Sequence, residues 1–102
     1  MGLFNILGER ARSLGAYSGG LGNTMEDAII ITASSSFIGV PAEYDYIRIQ
    51  CGQEGSDWIL ESQSLLEPDG ADGKHYDLLT VKLKDGTLRE FYFDISSFFG
   101  KY

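Results

Sequence analysis

His75 and Asp77 are the side chains whose types and spacing are best suited to chemistry. Residues two apart in an extended strand point to the same side, so the imidazole and the carboxylate would lie side by side. A histidine beside a carboxylate can act as a general base, but the chain has one histidine and no nucleophile that spacing ties to it. Both residues are therefore catalytic candidates only, and the plainer interpretation is a hydrogen-bonded pair at a strand end.

Other reactive side chains lack the partners that their chemistry requires. Cys51 has no histidine near it in sequence, so we expect a small buried apolar residue rather than a nucleophile. Asp69, Asp72 and Asp77 lack the alternating oxygen ligands and distal glutamate of a calcium loop, and one cysteine with one histidine falls short of a zinc site. The glycines of residues 15–23 have neither a P-loop ending nor a dinucleotide-site setting. The sequence predicts no metal and no cofactor, and it names no reaction.

The composition predicts one folded domain. A chain of 102 residues has room for a single core, and 43% apolar residues are enough to fill it. We expect residues 1–23 to form a helix and a glycine-rich linker, and residues 24–102 to form the compact core. A single cysteine permits no internal disulfide, which favours the cytoplasm. We expect no membrane partner, because there is neither a secretory signal nor an apolar run near the ~20 residues that cross a bilayer.

Negative charge is concentrated in the middle of the chain. The net charge is −7, and residues 26–72 hold ten acidic residues against one basic residue, Arg48. Such a field attracts basic surfaces and repels nucleic acid, so we expect no DNA or RNA binding. Glu43 and Asp45, on a predicted helix, and Asp57, before a predicted strand, are the expected contacts to a basic protein. The plainer interpretation is that these acids only keep the protein soluble.

The elements expected to position these residues include two helices and an early strand. Apolar residues spaced three, four and seven apart predict a helix over residues 3–14. A β-branched apolar run predicts a strand over 28–32, with a capped helix as the alternative. A second helix is predicted over 41–51 with Pro41 at its first position, and a strand is the alternative because its later apolar residues also alternate.

Three strands follow, over residues 58–65, 76–84 and 87–95. The pair Asp85-Gly86 between the last two is a strong hairpin signal. A three-residue turn with Gly86 left-handed sorts the apolar side chains onto one face, whereas a two-residue turn mixes them with charged ones. The core face of the hairpin predicted in this way comprises Leu79, Val81, Leu83, Phe91, Phe93 and Ile95.

Together these elements predict an α+β fold. Its antiparallel sheet, a C-terminal three-strand meander plus one earlier strand, packs against one helix, with the short N-terminal helix in addition. One helix followed by such a meander resembles the element order of cystatin-like folds, and this resemblance carries no functional residue to the chain. Phe98 and Phe99 cannot both enter the same side of a strand, so we expect one of them to cover a core edge or to form a homodimer contact.

Two functions are compatible with this pattern. The first is a non-catalytic binding protein that presents the acidic region to a basic protein partner, as immunity proteins and enzyme inhibitors do. The second is a small-ligand-binding protein or an enzyme, with a pocket between the helix and a curved sheet. Its mouth would hold Trp58, Tyr76, His75 and Asp77. A flat acidic face favours the first function and a deep pocket favours the second.

Overall fold

The computed structural model describes residues 16–69 and 73–102. Its elements are strands β1 (Ala16–Gly19) and β2 (Ile29–Thr32), helix α1 (Ser36–Cys51), and strands β3 (Trp58–Leu66), β4 (Tyr76–Leu83) and β5 (Leu88–Asp94). One helix packed on one sheet confirms the α+β class. The helix predicted over 3–14 lies outside the described residues. Within the described ranges, no helix has the length and apolar character needed to cross a membrane.

The five strands form one mixed sheet in the order β1-β2-β5-β4-β3. The three C-terminal strands pair antiparallel in sequence, as predicted. The sheet is nevertheless not an antiparallel meander with one added strand, because β2 runs parallel to β5 and β1 adds a fifth strand. Helix α1 returns the chain to the end of the sheet where β2 began, so β3 runs in the direction of β2. Two reversals then leave β5 in that direction as well.

Strand β1 lies in the segment expected to be a glycine-rich linker, and that expectation is wrong for residues 16–19. Tyr17 lies opposite Ile31 of β2, and its hydroxyl donates a 2.7 Å hydrogen bond to the carbonyl of Ala42. Its ring also packs edge to face on Tyr46, with the centroids 5.3 Å apart. Tyr17 thus attaches β1 to helix α1, in addition to the backbone pairing with β2. A contact made by one side chain leaves no periodic pattern in the sequence.

Helix α1 begins at Ser36, earlier than predicted, and Pro41 lies inside it rather than at its first position. The N–H of Ser36 donates a 2.6 Å hydrogen bond to the carbonyl of Lys101, so the C-terminal segment fixes this helix end. The helix ends before Gly52, as predicted, and Gly52 has a φ of 103°. The alternative of a strand over residues 47–51 is wrong.

The core lies between α1 and one face of the sheet. Leu79 pairs with Phe91, Gly86 has a φ of 91°, and Leu83 and Thr87 close the three-residue turn, so the predicted hairpin register is confirmed. Of the predicted core face, Leu83 alone is only partly buried. The buried apolar residues are Ala28, Ile29, Ile31, Ala42, Ile47, Trp58, Leu79, Val81, Phe91, Phe93, Ile95 and Phe98.

Candidate functional site

Strand β3 forms an open edge of the sheet. It pairs with β4, and its other side has no strand partner among the described residues. A β-bulge at Glu61 interrupts the ladder, and five regular residues without a charged side chain follow it. We call these residues, 62–66, the open-edge segment. Most of their side chains are exposed to solvent.

The hydrogen bonds of β4 decide which backbone groups this edge presents. The N–H of Leu83 donates to the carbonyl of Thr87 on the β5 side, and the N–H of Lys84 donates to Asp57 on the opposite side. Successive residues of an antiparallel strand direct their backbone groups to opposite neighbours. Odd-numbered residues of β4 therefore bond to β5, and even-numbered residues bond to β3.

The same alternation applies to the open-edge segment. Ser64 lies opposite Leu78, an even-numbered residue of β4, so its backbone groups point into the sheet. Gln63 and Leu65 consequently direct their N–H and C=O groups away from β4. Within the described residues no strand pairs with these groups, so the open edge presents the backbone N–H and C=O groups of Gln63 and Leu65 away from the sheet.

Acidic side chains flank the open-edge segment at both ends. Glu61 precedes it and Glu67 follows it, and both side chains are exposed. Glu54 and Asp69, in the adjoining loops, are exposed as well. Residues 49–73 contain no lysine or arginine. We call β3 with these flanking acids the acidic edge.

Surface ion pairs offset part of this charge. Two of them involve acids beside β3, Arg48–Glu54 at 3.8 Å and Lys84–Asp57 at 3.7 Å. Exposed pairs of this kind contribute little stability and are screened by salt. Glu61 has no cationic partner in the described part of the chain. The edge therefore keeps its acidic character.

Two of the acids predicted to contact a partner are buried. Glu43 is 1% exposed and Asp45 is 9% exposed, and Asp45 pairs with Arg48. The expectation that both lie on the surface is wrong. Glu43 is four residues from both Gly39 and Ile47, so it shares the helix face that packs against the sheet. That spacing was available in the sequence, but the charge suggested exposure.

The predicted pocket mouth does not form. Trp58 is 1% exposed, and its Nε1 donates a 2.8 Å hydrogen bond to the carbonyl of Gly52. Asp77 lies opposite Leu65, seven residues farther along β3 than Trp58, a separation of roughly 20 Å in a strand. Tyr76 precedes Asp77 in the same strand and therefore points to the opposite face of the sheet.

His75 and Asp77 do not form a catalytic pair either. The imidazole of His75 stacks on the ring of Phe99, with the centroids 3.9 Å apart, and its Nδ1 lies 2.8 Å from a carboxylate oxygen of Glu67. Asp77 is 7% exposed and faces Glu43 of α1 instead. No hydrogen bond or ion pair joins His75 to Asp77 in the described structure.

The predicted dimer contact is wrong for one of its two aromatic residues. Phe98 is 2% exposed and belongs to the core, so it covers a core edge, which was the other expectation for this pair. Phe99 is 38% exposed and rests on His75. The two adjacent rings are therefore separated as the sequence implied, but Phe98 is not available to a second copy of the chain.

Glu43 and Asp77 form a pair of buried carboxyl groups that no pattern in the sequence indicated. Burial raises the pKa of Glu43 to about 10, and repulsion by Asp77 and a hydrogen bond to it act in the same direction. Burial also raises the pKa of Asp77. No donor from the described residues reaches the carboxylate oxygens of Glu43, so a proton on Glu43 supplies the hydrogen bond to Asp77. The pair therefore holds a proton at neutral pH.

An open cleft of about 500 Å³ lies between the last turn of α1 and the β4–β5 turn. Arg89 is half-buried in it, with Nη1 3.7 Å from the Sγ of Cys51 and the guanidinium carbon 4.7 Å from the ring centroid of Phe91. In the described part of the chain no carboxylate pairs with Arg89. The lining residues are Gln50, Cys51, Asp57, Leu83, Lys84, Asp85 and Arg89. A guanidinium that has no carboxylate partner can bind an anionic group in a cleft.

Neither the carboxyl pair nor the cleft gathers a set of metal ligands. Within residues 16–69 and 73–102, no group of three or more His, Cys, Asp or Glu side chains is arranged to hold a metal ion.

Comparisons of the chain with protein-family models, curated proteins and solved structures found no match. The function therefore has to be inferred from the residues and their geometry.

Proposed function

We propose that this protein is a non-catalytic binding protein that presents the acidic edge to a basic protein partner. The observation that carries the proposal is an exposed strand edge between Glu61 and Glu67, within 25 residues that contain no lysine or arginine, residues 49–73. Clustered charge of one sign steers and orients a partner of the opposite sign. The same field repels nucleic acid, which favours a basic protein over DNA or RNA as the partner.

Because Glu43 and Asp45 are buried, the recognition surface that we propose is the sheet edge and not the helix. Among the described residues, the fully exposed acids near this edge are Glu54, Glu61, Glu67 and Asp69. We place this function in the cytoplasm, because the chain's single cysteine permits no internal disulfide. A chain that folds without disulfides suits a reducing compartment.

Two variants with matched charge test the proposal. Glu61→Gln with Glu67→Gln removes two charges from the acidic edge, whereas Glu26→Gln with Glu90→Gln removes two exposed charges elsewhere. The partner is captured from a lysate of the source organism, identified and purified. Its association rate with each variant is then measured at low and at high salt.

We expect the association rate of the wild-type protein to fall at least about tenfold between about 20 mM and about 300 mM salt. The edge variant should associate more slowly at low salt and depend less on salt. The control variant should stay within about twofold of wild type, since neither of its charges lies on β3 or in the loops that adjoin β3. An association rate indifferent to salt and to the edge substitutions contradicts the proposal.

A second candidate function is the binding of a small anionic molecule in the cleft. It is favoured by the position of Arg89, which lies in the cleft beside Cys51 without a carboxylate partner in the described structure. Small phosphates and carboxylates that raise the Tm of the wild-type protein, but not that of Arg89→Gln, would support it. If none of them does so, this candidate is excluded for the compounds tested.

A further inference from the structure

The geometry points to strand addition as the way in which the acidic edge binds: a basic, extended segment of the partner hydrogen-bonds along residues 62–66. Its lysine or arginine side chains then lie near Glu61 and Glu67. This inference rests on the function proposed above and adds the mode of binding. It accounts for the backbone, the charges and the exposed side chains of β3 together.

The backbone of the open-edge segment has N–H and C=O groups that can hydrogen-bond to another strand. Gln63 and Leu65 direct their N–H and C=O groups outward, and an unpaired edge of this kind is a template for an added strand. Proteins usually protect such edges with bulges, charges or prolines. Here the bulge and the charge lie at Glu61 and a further charge lies at Glu67, so the five residues between them are unprotected.

The side chains also leave space for an added strand. Gln63 and Leu65 lie on the sheet face that α1 covers elsewhere, yet Gln63 is exposed and Leu65 is 47% exposed. The helix therefore does not extend over this edge. A partner strand with an apolar side chain beside Leu65 would cover it, as cross-strand pairs do within a sheet.

Charge decides between a basic partner and a second copy of this chain. If β3 paired antiparallel with itself about Ser64, Glu61 of each copy would lie opposite Glu67 of the other. Like charges directly opposite each other destabilise a sheet, and each copy carries a net charge of −7. A segment with basic residues at both ends replaces this repulsion with attraction. We therefore assign the edge to a basic partner segment.

The probe is an acetylated and amidated heptapeptide, Lys-Thr-Val-Thr-Val-Thr-Lys. Its lysines are six residues apart, as Glu61 and Glu67 are in the protein. The control is the same peptide with every interior amide N-methylated, which keeps the charge and removes the interior hydrogen-bond donors. Binding of both to the full chain is measured by NMR titration, together with amide exchange in the free and bound protein.

We expect the control peptide to bind at least about tenfold more weakly, because several backbone hydrogen bonds are lost. The amides of Gln63 and Leu65 should exchange quickly in the free protein and slowly in the complex. The amide of Ser64, which points into the sheet, should be protected in both states. Electrostatic attraction without strand addition would not produce this alternation.

A pair of protein variants gives a second, independent measurement. Gln63→Pro removes the outward N–H, and proline is tolerated at an edge position whose N–H faces solvent. Gln63→Ala keeps that N–H and is the matched control. We expect the proline variant to bind the heptapeptide at least about tenfold more weakly and the alanine variant to bind within about twofold of wild type. If the proline variant does not fold, the N-methylated peptide decides alone.

The outcomes separate the mode of binding from the function. Equal binding of both peptides, unchanged exchange at Gln63 and Leu65, or no binding of the unmodified peptide would overturn strand addition. The function survives that result if Glu61→Gln with Glu67→Gln still slows association with the captured partner. If those substitutions change nothing either, the function fails as well. A dimer of the wild-type protein that the heptapeptide dissociates would overturn the choice of occupant.

Discussion

The ring of Phe98 lies directly against Gly39 of α1. A Cβ built on Gly39 would lie 2.5 Å from the nearest ring carbon, closer than real Cβ contacts allow. The C-terminal segment and the helix can approach this closely only because residue 39 has no side chain. The same segment accepts a hydrogen bond from Ser36 through the carbonyl of Lys101, so it fixes the first turns of α1 in two ways.

We expect the overpacking introduced by Gly39→Ala to cost about 1–3 kcal/mol of the free energy of unfolding. This loss should exceed the gain of about 1 kcal/mol that alanine brings to a helix interior. Urea unfolding measures both effects together. Phe98→Leu should cost less in the Gly39→Ala background than alone, because the smaller side chain relieves the clash. A Gly39→Ala variant more stable than wild type would contradict this account.

The turn between β4 and β5 depends on the positive φ of Gly86. A Cβ at this position would meet no atom within 4 Å, so the cost of a substitution comes from the backbone. We expect Gly86→Val to lower the free energy of unfolding by about 1–3 kcal/mol, because a β-branched residue is strained at positive φ. Gly86→Asn is the matched control and should cost less, since asparagine tolerates this region better. Equal losses of stability in the two variants would contradict the explanation that the positive φ of Gly86 causes the loss.

Phe93 and Tyr92 lie on opposite faces of β5. Phe93 is fully buried beneath α1, and Tyr92 is half-buried on the other face of the sheet. We expect Phe93→Ala to cost about 3–5 kcal/mol, as large-to-small substitutions in a core do. Tyr92→Ala should cost clearly less when both variants are unfolded in urea. If Tyr92→Ala cost more than Phe93→Ala, the assignment of α1 to the Phe93 face of the sheet would be wrong.

Local patterns predicted the elements that local interactions fix. The hairpin followed from Asp85-Gly86 and a period-two alternation, and its register was confirmed. The parallel pairing of β2 with β5 was missed, because it joins Ile29 to Phe93 across 64 residues of sequence. Strand β1 was missed because its four residues, Ala16–Gly19, include one large side chain, Tyr17, and therefore show no alternation of apolar and polar residues.

At the candidate site too, the sequence pattern predicted local features and did not predict those that depend on packing. The sequence located the acidic region, but it did not distinguish exposed acids such as Glu61 from the buried Glu43. That distinction depends on which face of α1 meets the sheet. The open edge beside Glu61 is a consequence of strand order, which follows from the crossover through α1 and has no local signature.

The carboxyl pair of Glu43 and Asp77 makes the free energy of unfolding depend on pH. Glu43 keeps its proton in the folded protein up to a pKa of about 10, whereas an unfolded glutamate loses it near its ordinary value of about 4.3. Between these two pH values the folded state holds the extra proton. The free energy of unfolding therefore falls as pH rises through this window. The raised pKa of Asp77 acts in the same direction.

Glu43→Gln should reduce this loss of stability, because the amide carries no titrating proton and can still donate a hydrogen bond to Asp77. Urea unfolding at about pH 5 and about pH 9 should show a smaller difference for the variant than for the wild-type protein. At the higher pH the variant should be more stable than wild type, because unfolding of the wild-type protein then releases the proton of Glu43 and the amide of the variant has none to release. Glu61→Gln, which changes an exposed glutamate, is the control and should keep the wild-type pH dependence. If Glu43→Gln also kept the wild-type pH dependence, a proton on Glu43 that bonds to Asp77 would be ruled out.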